Sequence, residues 1–158
     1  MYCIMHLKVI GDDNIKTFNS NFKKGNWIIL YYADWCGHCQ MLKPTWNEYV
    51  KRNVGNKSLN IAEIPDTSFG QLDNQPMTTG FPSIKMFNNQ KEVADFSGER
   101  NLENLEKFSN GNIKNILSRV KKNSSLKNPR NKSVKSRKKS RKGPRKNSRK
   151  GPRKNSRK

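Results

Sequence analysis

The chain has 158 residues, with 33 Lys/Arg against 12 Asp/Glu, a formal net charge of +21 and 32% hydrophobic residues. Residues 1–113 hold 12 Lys/Arg and all 12 acids and are neutral, whereas residues 114–158 hold the other 21 cations and no acid. This excludes a second folded domain, because the basic segment cannot build a core, and a membrane-spanning helix, because no apolar run approaches the roughly 20 residues required.

In chain order, the pattern predicts a strand at Tyr2–Ile10, a helix at Asp13–Phe22 and a strand at Trp27–Ala33. That second strand holds the unbroken apolar and aromatic run Trp27-Ile28-Ile29-Leu30-Tyr31-Tyr32, which reads as buried. A long helix is expected from Cys36 to Val54, kinked near Pro44, where proline removes a backbone hydrogen bond. A strand at Leu59–Ile64 and a short helix near Phe69–Asn74 follow. Strands at Ser83–Phe87 and Val93–Phe96 form a hairpin through Asn88-Asn89-Gln90. A helix begins near Asn101, and Ser109-Asn110-Gly111-Asn112 predicts its break. Ile113, Ile116, Leu117 and Val120 then recur at helical spacing among Lys114, Arg119, Lys121 and Lys122. They predict an extra amphipathic segment over 111–122, docked on the domain or turned toward a partner or membrane surface. Residues 123–158 are almost wholly Asn, Ser, Pro, Gly, Lys and Arg and predict a disordered tail. Ser140–Asn147 repeats as Ser148–Asn155, a period that spaces cation pairs along an extended chain.

The stretch that carries chemistry is Trp35-Cys36-Gly37-His38-Cys39, between the second strand and the long helix. A first sulfur at a helix N-terminus meets free N–H groups and the positive end of the helix dipole, which stabilise a thiolate. Cys36 is therefore the candidate nucleophile, and Cys39, one turn on, is placed to resolve a mixed disulfide. A partly cationic His38 beside the sulfurs favours the thiolate and makes the couple more oxidising. Trp35 and Gly37 shape the loop. Three cysteines, two of them in this motif, do not make a secreted disulfide scaffold. A zinc site completed by Cys3 and His6 is disfavoured, since residues i and i+3 of a strand point to opposite faces. Cys3 and His6 read as strand residues and Trp46 and Tyr49 as helix packing; no cofactor and no metal are called for.

Tyr31-Tyr32-Ala33-Asp34-Trp35-Cys36-Gly37-His38-Cys39, with Pro44 in the following helix, resembles the active-site segment of the thioredoxin family. The Gly-His dipeptide is typical of the protein disulfide isomerase branch. Gly80-Phe81-Pro82-Ser83 matches the loop with the family's cis-proline, and Phe96-Ser97-Gly98-Glu99-Arg100 is similar to a turn of isomerase a-type domains. The resemblance covers residues 1–110 and implies an α/β thioredoxin fold, a central mixed sheet flanked by helices. It implies a redox-active Cys36–Cys39 disulfide, substrate main chain pairing with Phe81 beside Pro82, and an Arg100 that lowers the pKa of Cys39. One departure stands out. The family's buried carboxylate, six residues before the first cysteine, is Leu30 here, while a strand position commonly lysine in the family is Glu63. Glu63 is the candidate substitute as proton acceptor.

These readings make the chain a thiol–disulfide oxidoreductase acting on protein thiols and disulfides, with residues 121–158 tethering it to nucleic acid or another polyanion. An anionic membrane surface is the competing partner. The alternative class is a non-enzymatic nucleic-acid-binding or packaging protein with a vestigial redox domain, which Leu30 favours. The N-terminus lacks a signal-peptide pattern and the C-terminus a retention signal. The expectation is therefore a monomer in the cytoplasm or nucleus, in a virion or nucleoid if packed with DNA.

Overall fold

The computed structural model describes residues 5–125. Its five strands are β1 (His6–Lys8), β2 (Asn26–Tyr32), β3 (Asn60–Pro65), β4 (Ser83–Asn88) and β5 (Lys91–Asp95). The helices are α1 (Asp12–Asn21), α2 (Gly37–Asn53) and α3 (Leu102–Ser125), with a 3-10 helix at Asp66–Gln71. The sheet order is β1-β3-β2-β4-β5. β3 runs parallel to both β1 and β2, whereas β4 is antiparallel to β2 and β5. This is the mixed α/β sheet expected of the thioredoxin fold.

β2 is central and buried on both faces, which is why its sequence is an unbroken apolar run rather than an alternation. Successive side chains divide between two cores. Ile28, Leu30 and Tyr32 join the core beneath α2 and α3, while Trp27, Ile29 and Tyr31 join the core with α1. Ile28 and Ile29, fully buried on opposite faces, contribute roughly 1.5–3 kcal/mol each. β3 alternates in the same sense: Ile61 belongs to the first core, Ala62 and Ile64 to the second. Glu63 therefore projects with Ile61 and Leu30 toward α2. Asn89 and Gln90, both at positive φ, make the two-residue turn of the β4–β5 hairpin.

Two expectations are corrected. α3 does not break at Ser109–Asn112 but runs unbroken to Ser125. Ser109 is fully buried and returns its hydroxyl to the Leu105 and Glu106 carbonyls, and the Asn112 side chain caps the Phe108 carbonyl. Leu105 and Ile113 sit in the core, with Phe108 and Ile116 packed against it, so tertiary packing overrides the local breaker signal. Segment 111–122 is thus a continuation of α3, with Ile113 docked and Leu117 and Val120 exposed. The short helix lies at Asp66–Gln71, three residues before its expected place, because it starts directly after β3. Pro44 lies inside α2 as expected. Trp46 and Tyr49 are fully buried packing residues. Cys3, the start of the predicted first strand and the tail from 126 to 158, including its repeat, lie outside the described residues. Among the described residues no helix is long and apolar enough to cross a membrane.

Candidate active site

β2 ends at Tyr32, and Cys36 becomes the N-cap of α2 in extended conformation. Its sulfur accepts a hydrogen bond from the Cys39 main-chain N–H at 3.3 Å, taking the place of the usual capping oxygen. The Cys36 thiol in turn donates to the Phe81 carbonyl at 3.5 Å. The Phe81–Pro82 bond is cis, and Pro82 precedes β4, the antiparallel neighbour of β2. The two loops therefore meet because their strands are paired.

The two thiols are driven in opposite directions. Cys36 is lowered from the ordinary range, first by the S–H of Cys39 donated to its sulfur. Burial opposes this, while the main-chain N–H groups of Cys39 and His38 and the Arg100 charge add to the lowering. Cys39 is pushed up to about 11, first by burial and then by giving its proton to Cys36, against the Ala33 main chain and the Arg100 charge. When such a pair loses one proton, the charge falls on the first sulfur and the remaining proton stays on the second.

Around the sulfurs, Trp35 is 75% exposed, donates Nε1–H to Asp66 Oδ2 at 3.0 Å and meets Phe81 edge-on. His38 is exposed, and its contribution to Cys36 is a main-chain N–H. A Cβ added at Gly37 would meet nothing within 4 Å, so glycine there is not sterically required. Arg100, exposed before α3, donates to the Pro82 carbonyl at 3.3 Å.

Glu63 is not a surface glutamate: it is 2% exposed. It lines a small pocket with Cys39, Leu30, Tyr32, Ala33 and Lys43. The structure thus brings Cys36, Cys39, Phe81, Pro82 and Arg100 together on one side, and Cys39 with Glu63 on the other. A contact not anticipated is that of His6 Nε2 with Glu63 Oε1 at 3.0 Å. Alternation in a strand could not reveal it, because it depends on the β1–β3 register.

A family model described as Thioredoxin matches residues 9–110. The chain is 37% identical over 98 residues to human protein disulfide-isomerase A4, covering 59% of this chain and 15% of that protein. To a thioredoxin domain-containing protein of Theileria parva it is 28% identical over 115 residues, covering 71% of this chain and 51% of the relative. The chain thus spans about half of one of these relatives and a smaller part of the other. The solution structure of the first thioredoxin domain of mouse protein disulfide-isomerase A4 is similar with a TM-score of 0.50 at 26% identity, covering 62% of this chain and 69% of that one. The J-Trx1 fragment of ERdj5 shares the fold, with a TM-score of 0.56 at 23% identity and coverage of 69% and 52%.

Proposed function

Because the chain belongs to the thioredoxin family, we propose that it is a thiol–disulfide oxidoreductase of protein substrates. The Cys36 sulfur at the N-cap of α2, held by the Cys39 main-chain N–H at 3.3 Å and lying beside the Phe81 carbonyl, carries this reading. The Cys36 thiolate attacks a substrate disulfide; one substrate sulfur leaves as a thiolate and takes a proton from water. Cys39 then attacks the Cys36 sulfur, the second substrate thiolate leaves, and two electrons have passed from the enzyme dithiol to the substrate. A dithiol or disulfide of another protein resets the couple, and run backward the same steps oxidise a substrate. The Phe81 carbonyl, at the Cys36 sulfur, supports pairing with an extended substrate segment. Arg100 is the cation that favours both thiolates.

Burial, the first cause of the raised Cys39 thiol, persists in the mixed disulfide and keeps that thiol protonated at neutral pH. The Cys39 step therefore needs a proton acceptor, and Glu63, buried in the pocket it shares with Cys39, is assigned that role. The polycationic segment 121–158 is assigned to nucleic acid, bound through phosphates without base specificity, since it holds no aromatic side chain. A packaging protein with a vestigial redox domain is the second reading, favoured by Leu30. Turnover of a disulfide-bonded protein in the Cys3→Ser background separates them. The enzyme reading expects catalysis that Cys36→Ser abolishes, and the vestigial reading expects none.

A further inference from the structure

We infer that His6 and Glu63 form one proton-holding unit that serves Cys39, with His6 the positioning residue that ties the buried carboxylate to solvent. The inference rests on the assignment of Glu63 as acceptor and adds what governs its readiness. The Glu63 side chain is 3% exposed and that of His6 29%, with Nε2 and Oε1 3.0 Å apart. His6 reaches Glu63 because β1 pairs parallel to β3, His6 beside Ile61 and Lys8 beside Glu63. On its other side Glu63 faces the pocket, whose volume of about 10 Å³ is about the room one water needs. A water held there would lie between the Cys39 thiol and the Glu63 carboxylate, which both line the pocket.

Among the described residues around Glu63, His6 is the one of a type that ordinarily changes charge near neutrality. From β1 come His6 and Lys8; from β2 and the loop after it, Tyr32 and Asp34; from α2, Cys39 and Lys43. Lysine, aspartate and tyrosine keep their charge state between about pH 5 and 8, whereas histidine changes its own there. With a neutral imidazole, Nε2–H donates to a carboxylate that still has room for a proton. When the ring carries its second proton, a positive charge stands 3.0 Å from the carboxylate and opposes transfer of the Cys39 proton to it. In the step itself, the Cys39 proton passes to Glu63, the Cys39 sulfur bonds to the Cys36 sulfur, and the substrate sulfur departs with the electron pair of the broken bond.

The test uses the full chain carrying Cys3→Ser, and one equivalent of dithiobis-nitrobenzoate as the disulfide, followed by stopped flow. The first coloured thiolate is released at a rate proportional to protein concentration and reports Cys36; the second is first-order and reports Cys39. In the wild-type site the second phase should rise about tenfold between about pH 5 and 8. His6→Gln, which keeps a donor to Glu63 without a charge, should lose that rise and stay fast. His6→Lys, permanently cationic, should stay slow throughout the range. An unchanged first phase shows that each variant is folded at the site. A His6→Gln profile like the wild type, or identical behaviour of the two variants, overturns the inference while leaving the Glu63 assignment intact. A second phase unaffected by Glu63→Gln overturns both, and absence of any second phase overturns the oxidoreductase reading itself.

Discussion

Leu30 and Glu63 are direct cross-strand partners in the parallel β2–β3 pair, their side chains on the same face of the sheet and in the same pocket as Cys39. The carboxylate that the family resemblance implies at position 30 thus stands one strand over, on the same face and lining the same pocket. Exchanging the two should preserve the chemistry. Glu63→Gln alone is expected to slow the Cys39 step at neutral pH by about 10²-fold. Leu30→Glu combined with Glu63→Leu is expected to recover to within roughly tenfold of the original. First-order thiolate release in stopped flow measures both; no recovery in the exchanged variant would show that position, not only the acid, matters.

Alkylation should separate the two cysteines by pH. Cys36, lowered from the usual range, should react with iodoacetamide at neutral pH, while Cys39 should resist until the pH approaches about 11. The sign for stability follows. Cys39 ionises less readily folded than unfolded, so the reduced protein should lose stability as the pH rises from about 9 toward about 11. Peptide mapping after timed alkylation and melting curves across that range provide the readings.

Arg100→Gln removes a charge that lowers both thiols, together with the hydrogen bond to the Pro82 carbonyl. Alkylation of Cys36 should then require higher pH, with no loss of fold, because Arg100 is exposed. Thiolate absorbance titrated against pH in the Cys3→Ser background checks the direction.

Continuity of α3 predicts a stabilising substitution. A Cβ at Gly111 would meet nothing within 4 Å, so Gly111→Ala should add about 0.5–1 kcal/mol and raise Tm by several degrees. A helix broken at that glycine would instead be unaffected or destabilised.

Truncation after Val120 should abolish retention on DNA. If about 8 cations engage phosphates, binding by the full chain should weaken with salt at a log–log slope of about −7. Equal retention by the truncated chain would reassign the basic segment.

What could be read from the sequence was what is local. Cys36, Gly37, His38 and Cys39 are contiguous, so strand, cap and helix dipole could be read from one stretch. The central strand announced itself through its apolar run. Glu63 emerged only because Leu30 departs from a family pattern, and its burial required the fold. From sequence alone His6 reads as a strand residue; its partner lies 57 residues away, and only the β1–β3 register joins them. The break expected at Ser109–Asn112 failed for the converse reason: each residue signals a terminus locally, while Leu105, Phe108, Ile113 and Ile116 hold the turn against the domain.

The central claim is that Cys36 attacks and Cys39 resolves. The most direct measurement is trapping, in the Cys3→Ser background, of the mixed disulfide with a disulfide-bonded substrate protein. Cys39→Ser should accumulate a one-to-one adduct through Cys36, visible by mass spectrometry and released by reductant, and Cys36→Ser should form none. An adduct carried by Cys39, or no adduct in the Cys39→Ser protein, would contradict the account.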